Sequence, residues 1–405
     1  ATAAQRLRPL LQDAVQAHLI ADVPVGLFLS SGLDSSAIAL MAGHAQAGTQ
    51  SFTLTFPGTN FDEAALARVV AKHSGLQHTE IPLDGTAIFE RLEEAVEALD
   101  QPTMDGINTY FVSWAARQVG LKVALSGLGG DELFGGYSTF SDVPRLKQLA
   151  QLAKTLPAPL RRALNPLVRT LIATRGTTDA ALKAAAAWDN SQALPDPYFF
   201  ARTLFPPGLR LQKLIEPRFR ASTIGADGVT LDPTWLGWLQ RVAIEAGKME
   251  PAAAISWLEM RTYMVSTLLR DTDSVSMARS LEVRVPLLDT PLVEFVSALP
   301  DGARVRPGVQ KALLVEALRD LFPAEILAQR KRTFTLPWEE WLRGPLRPHL
   351  EASFAAIAPP LAQHLHADGV RAIWNEFLAG KTSWSRPWSL YVLNEWCRRH
   401  LPAGS

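Results

Sequence analysis

The sequence predicts an α/β protein in which a doubly wound parallel sheet is followed by a mainly helical region. Over the first 140 residues, short apolar runs alternate with amphipathic stretches, the pattern of a parallel sheet covered by helices. Two turns rich in Ser and Gly stand where such runs end, at residues 30–36 and 126–137. From about Asp142 the texture changes to Ala, Leu, Arg and Pro, and the strand signal nearly vanishes.

Residues 23–30, 51–56, 78–83 and 121–126 read as strands, being short, apolar and rich in β-branched or aromatic side chains. Between them, residues 34–45, 62–73, 86–99 and 108–119 carry apolar residues at helical spacing, with Asp62 and Thr86 expected as N-caps. A ligand is expected in the crevice at the carboxyl ends of the strands. Residues 1–140 are assigned to this core and 141–405 to the helical region. Helices in the latter are expected to be interrupted at Pro157 and Pro159, and residues 190–232, rich in Pro and Gly, read as an irregular insert. Seven of the eleven tryptophans lie from Trp257 onward, which points to an aromatic core rather than to ligand contacts.

Lys plus Arg and Asp plus Glu are 40 each, and this neutral balance argues against a nucleic-acid-coating protein, whose affinity needs uncompensated basic charge. No apolar run approaches the roughly 18 residues of a membrane span, and a cytoplasmic location is expected. A lone cysteine, Cys397, can form neither an intrachain disulfide nor a structural zinc site, so a buried spectator in a reducing compartment is expected. The chain starts Ala1-Thr2-Ala3-Ala4 without Met, which reads as a piece of something longer.

The strongest local signal is Ser30-Ser31-Gly32-Leu33-Asp34-Ser35-Ser36, between an apolar strand and an apolar helix. Small residues let backbone approach an anion, and the helix start aims N–H groups and its positive dipole end at it. Asp34 suits such a cradle once a divalent cation bridges carboxylate and phosphate. A plain Ser-rich turn with an Asp cap would leave four hydroxyls and a Gly at one strand end unexplained. The second turn, Ser126-Gly127-Leu128-Gly129-Gly130-Asp131-Glu132-Leu133-Phe134-Gly135-Gly136-Tyr137, packs five glycines into twelve residues, and Asp131 can share the cation if the two strands are neighbours. A Gly-rich hairpin is the plainer reading.

The first turn is not a Walker loop; it resembles the Ser-Gly-Gly-x-Asp-Ser-Ser loop of ATP pyrophosphatases, with Ser31 in place of the first Gly. Further ordered matches make the chain similar to the synthetase domain of the asparagine synthetase family. They are Asp62-Glu63-Ala64, the segment ending at Asp105, residues 126–137, residues 276–289, and Lys331 with Phe334 and Pro337. The resemblance implies an adenine nucleotide alpha hydrolase-like sheet and ATP with Mg2+ as cofactors. It further implies an ATP-dependent ligase that activates a carboxylate, by default aspartate, as an acyl adenylate and aminates it.

By that resemblance Phe28, Leu54, Ser126 and Gly127 hold adenosine, while Ser30, Ser31, Gly32, Leu33, Asp34, Ser35 and Ser36 hold pyrophosphate. Asp34 and Asp131 hold the metal, Lys331 is catalytic, and Asp105, Leu128, Gly129, Gly130 and Glu132 surround the substrate. On base rates Lys331 is one of a solvated basic run, Arg330-Lys331-Arg332, and the resemblance alone raises it above that. Three positions depart from the family pattern, namely Leu128 where relatives carry Glu, Asp or Tyr, Asp271-Thr272-Asp273-Ser274 for Lys-Val-Asp-Arg, and Thr333 for Gly. A leucine neither accepts a proton nor recognises an ammonium group, which favours a different carboxylate acceptor, a sugar acid, a peptide or a ring closure. The implied partners are a small carboxylate, ammonia, and a glutaminase domain or subunit outside the chain, and a homodimer is compatible. Transfer-RNA modification and a nonenzymatic nucleotide-binding scaffold are the competing classes.

Overall fold

The computed structural model describes residues 2–56, 63–83, 85–175, 178–189, 194–206, 209–216, 233–306, 308–329 and 335–402. Asp62 and the Lys331 to Phe334 segment lie outside the described residues. Contacts divide the chain into two units, Ala1–Tyr137 with Ala252–Trp338, and Ser138–Pro251 with Glu339–Ser405.

The first unit is built on five parallel strands, β1 (Val25–Phe28), β2 (Gln50–Thr55), β3 (Gln77–Pro82), β4 (Val123–Leu125) and β5 (Glu282–Arg284), in the order β3-β2-β1-β4-β5. The chain leaves β1 for β2 and β3 on one side, then crosses back to β4 on the other. The strand order therefore reverses between β1 and β4, which pair in register from Val25 with Val123 to Leu27 with Leu125. Such a reversal opens a crevice at the strand ends, because the connecting helices leave toward opposite faces.

Among the described residues up to Tyr137 the helices are α1 (Ala3–Leu19), α2 (Leu33–Ala45), α3 (Ala64–His73), α4 (Gly85–Glu97), α5 (Gly106–Gln118) and α6 (Gly130–Phe134). α1 starts at a capping box, Thr2 Oγ1 accepting from Gln5 N–H while the Gln5 side chain accepts from Thr2 N–H. Its Leu7, Leu11, Ala14 and Val15 fall on one buried stripe. That stripe joins Leu27, Ile38, Leu125, Leu287, Leu292 and Leu314 in one core. On the other face Phe52, Ala124 and Leu121 pack with Ala116 of α5 and with Leu281. Both faces are thus covered at the centre of the sheet, which is why β1 and β4 read as short apolar runs, whereas β2 alternates and the edge strand β3 is largely polar.

Several expectations change. α4 begins at Gly85, so Thr86 lies inside the helix and is not its cap. A fifth strand arises far beyond residue 142; β5 is three residues long and pairs along one edge only, too short to leave a pattern of its own. The sequence reading divides the chain once, near residue 140, whereas residues 252–338 return to the sheet-bearing unit because Leu281, Leu287, Leu292 and Leu314 complete its two cores.

In the second unit, helices Thr139–Thr155 and Ala158–Arg175 are separated at Pro157, while Pro159 sits in the first turn, where its missing N–H is not needed. Short helices Tyr198–Arg202 and Leu209–Leu214 occupy part of the expected irregular insert. Trp188 is buried and donates to Asn165 Oδ1 at 2.7 Å. Buried Arg386 bonds the Leu204 carbonyl and Thr382 Oγ1, each at 2.8 Å, and pairs with Asp179. Cys397 is buried beside Ala358 and Leu361, and burial pushes its thiol up, which suits a spectator.

Candidate active site

The crevice between β1 and β4 is a cavity of about 300 Å3 within the sheet-bearing unit. Its floor is the turn from β1 into α2. Ser35 Oγ holds that turn closed, accepting from Ser30 N–H at 3.2 Å and donating to the Ser30 and Gly32 carbonyls, each at 3.1 Å. Ser30 Oγ in turn accepts from Gly32 N–H at 3.1 Å. The hydroxyls therefore shape the loop from within. Gly127 lets the second loop close against it, since a Cβ there would stand 3.0 Å from both Asp34 Cβ and Ser35 N.

Gly129 adopts φ +97° and turns β4 into α6, with Leu288 filling the space a side chain would need. At Gly130 a Cβ would lie 2.2 Å from Asp34 Oδ1, and at Gly136 it would lie 1.7 Å from Asp131 Oδ1. These glycines leave room for two carboxylates, and the ammonium of Lys311 sits between them. It pairs with Asp131 Oδ1 at 2.8 Å and also with Asp34. Lys311 is 6% exposed. Burial pulls its ammonium down, but the Asp34 and Asp131 carboxylates outweigh this and hold it above the ordinary lysine range. The lysine has φ +45°, uncommon for a residue with a side chain, directly before helix Ala312–Leu318. On the opposite side of the loop, Glu63 Oε2 accepts from Ser31 N–H at 3.1 Å, and Gln329 donates to the Ser31 carbonyl.

One wall is apolar, with Phe28 and Phe52 edge to face at 4.8 Å and Leu54 beside them. The opposite end carries Leu128, Glu132 and Tyr137. Tyr137 Oη donates to Glu132 Oε1 at 2.7 Å, and Tyr263 packs edge to face on Tyr137 while donating to Asp105 Oδ2 at 2.6 Å. Burial pushes the Glu132 carboxyl up to about 7, and the bond from Tyr137 offsets only part of that.

Most residues expected from the sequence line this cavity: Phe28, Ser30, Ser31, Gly32, Leu33, Asp34, Ser35, Leu54, Ser126, Gly127, Leu128, Gly129, Asp131 and Glu132. Three are placed otherwise. Ser36 is wholly buried in α2, Gly130 packs against Asp34 without reaching the lining, and Asp105 stands at the start of α5 with Tyr263. Lys331 lies outside the described residues. Glu63, Tyr137, Lys311 and Gln329 line the cavity although the sequence reading assigned them no role. Lys311 did carry a signal, for a cation in front of an apolar helical run opposes the helix dipole and asks for a compensating anion.

A doubly wound sheet with a Ser-rich turn and paired carboxylates at its switch point defines a nucleotide-binding α/β protein of the non-Walker kind. The chain belongs to the asparagine synthase family, whose sequence model matches residues 6–398. It is similar to a putative glutamine-hydrolysing asparagine synthetase of Mycobacterium tuberculosis, 32% identical over 392 residues covering 96% of this chain and 56% of the relative. The glutamine-hydrolysing asparagine synthetase 1 of Bacillus subtilis is 26% identical over 396 residues, 97% of this chain and 58% of its own. A Penicillium rubens protein named amidase chyE is 27% identical, with 84% of this chain and 53% of its own covered. The chain spans little more than half the length of these curated relatives. Among the described residues no helix is long and apolar enough to cross a membrane.

Proposed function

We propose that this chain is an ATP-dependent carbon–nitrogen ligase that activates a carboxylate as an acyl adenylate and passes it to ammonia or an amine. The observation that carries the reading is one cavity bringing the Ser-rich loop, Asp34, Asp131 and a cation together at the strand-order reversal. Adenosine fits the Phe28, Phe52 and Leu54 wall, because aromatic and aliphatic side chains give an apolar slot for a base. The first turn of α2 directs N–H groups and its dipole at the pyrophosphate. The site suits a divalent ion, since two carboxylates already bracket a cation there. Asp34 and Asp131 would hold magnesium, which when bound neutralises the charge on the departing pyrophosphate.

In the first step a carboxylate oxygen bonds to the α-phosphorus and the bond to the β-phosphate bridge oxygen breaks. In the second, nitrogen bonds to the acyl carbon, AMP leaves, and the nitrogen gives up a proton. The fixed loop orients the phosphates for in-line attack and the apolar wall keeps water from the mixed anhydride. Lys331 is proposed as a second cation toward the phosphates, on family resemblance.

Aspartate is the default acceptor. A second reading, a different carboxylate, is favoured by Leu128, which cannot pair with an amino acid's ammonium group, and it is compatible with a relative named as an amidase. Pyrophosphate release against a panel of carboxylates separates the two. Robust aspartate-dependent turnover would sink the second reading, whereas release with none of the panel would sink the ligase itself. Nitrogen is proposed to come as ammonia from a glutaminase segment outside residues 1–405, so ammonium, and not glutamine, is expected to support turnover by these residues.

A further inference from the structure

Both polar halves of the proposed Mg-nucleotide site are already engaged, each by a side chain carrying the same sign of charge as the ligand group it would meet. Lys311 places an ammonium between Asp34 and Asp131, where a divalent cation would go. Glu63 places a carboxylate oxygen on Ser31 N–H, a donor of the phosphate loop. The two plugs approach from different parts of the chain, Lys311 from the turn before helix Ala312–Leu318 and Glu63 from the residue before α3. The Lys311 contact is not a loose surface pair, because Lys311 is buried and the glycines at 130 and 136 keep the space that it and the two carboxylates fill; the Glu63 contact is half-buried, on a Ser31 that is itself buried.

We infer that the nucleotide-free site is self-occupied, with Lys311 standing in for the metal and Glu63 for a phosphate oxygen, so that metal and nucleotide enter together by displacing both. The inference rests on the Mg-ATP reading above. Electrostatics supplies the reason: two carboxylates with an ammonium between them hold a divalent ion weakly, because bringing the ion in means removing the lysine or facing its repulsion. A nucleotide changes that balance, since its phosphates offer the lysine a new anionic partner while its metal takes over the carboxylates. Glu63 gives the complementary effect, repelling a bare polyphosphate until metal has lowered its charge.

The test uses Mn2+ alone, followed by the spin-resonance signal of the free ion, on the nucleotide-free protein. Lys311→Met is expected to bind Mn2+ about tenfold or more tightly than the unaltered chain, and to show a larger Mn2+-dependent rise in unfolding temperature. Lys311→Gln serves the same purpose if the Met variant does not fold. Glu63→Gln is expected to bind metal-free pyrophosphate several-fold more tightly. Equal or weaker Mn2+ binding by a folded Lys311 variant overturns the metal half of the inference, and unchanged or weaker pyrophosphate binding by Glu63→Gln overturns the phosphate half. Mn2+ with ATP on the unaltered chain keeps the two ideas apart. Binding there with no gain in the Lys311 variants removes the plug and leaves the ligase reading standing; a gain in the variants with no binding of Mn2+ and ATP by the unaltered chain does the reverse.

Discussion

At the scale of single residues, the site depends on space as much as on charge. Gly130→Ala would put a methyl group 2.2 Å from Oδ1 of the Asp34 carboxylate, which Lys311 holds by Oδ2. It is expected to leave the fold largely intact and to lower pyrophosphate–ATP exchange by at least about tenfold, because a displaced carboxylate costs catalysis more than stability. Asp34→Ala is expected to abolish that exchange while circular dichroism stays unchanged; exchange persisting near the starting rate would remove Asp34 from the metal site. The motif residues were legible in the sequence because small and acidic residues at a strand end have few other uses. Lys311 and Glu63 were not assigned to the site, since each comes from an element distant in sequence; the apolar helical run after Lys311 asks for an anion near it without saying which one.

Among the elements, the segment joining α4 to α5 is held by the stretch Met260–Met277, which starts as a π-helix, Met260–Leu269, and continues as an α-helix, Arg270–Met277. Gln101 donates to the Ser266 carbonyl at 2.6 Å, Ser274 Oγ to the Ala98 carbonyl at 2.7 Å, and Thr103 Oγ1 to Asp271 Oδ2 at 2.5 Å. This strap positions the start of α5, whose Asn108 and Thr109 line the cavity. Long π-helical turns commonly accompany functional sites. Asp271 is buried, and burial together with nearby Asp105 and Asp100 raises its carboxyl to about 7 despite the bonds from Thr103 and Gln101. A carboxyl raised in the folded state is protonated there while the unfolded chain has lost its proton. Its contribution therefore makes stability fall as pH rises from about 4 to about 7, by at most roughly 1.4 kcal/mol per pH unit, and it is constant above that range. Asp271→Asn is expected to remove that slope and to unfold later than the unaltered chain at pH 8. Melting curves from pH 5 to 8 measure this, and parallel curves for the two proteins would show that Asp271 does not titrate there.

Across the whole molecule, residues 252–338 are part of the sheet-bearing unit rather than an appendage. They supply β5, Leu287, Leu292 and Leu314 to the cores and Lys311 to the cavity. Residues 1–137 expressed alone are therefore expected not to fold, which the absence of protected amides in hydrogen exchange would report; a cooperative melt of that fragment would contradict the packing. Leu314→Ala, at a fully buried position, is expected to cost about 2–5 kcal/mol in denaturant unfolding of the whole chain. By itself the sequence determined the parallel sheet, its two loops and the chemistry they suit, because strand periodicity and glycine-rich turns are local and need no partner to be read. Tertiary structure alone decided the fifth strand, the return of residues 252–338 to the sheet, and the meeting of Lys311 with Asp34 and Asp131. Those are contacts between residues as many as 312 positions apart, and their energy comes from burial and charge pairing, which exist only once the distant segments have been brought together.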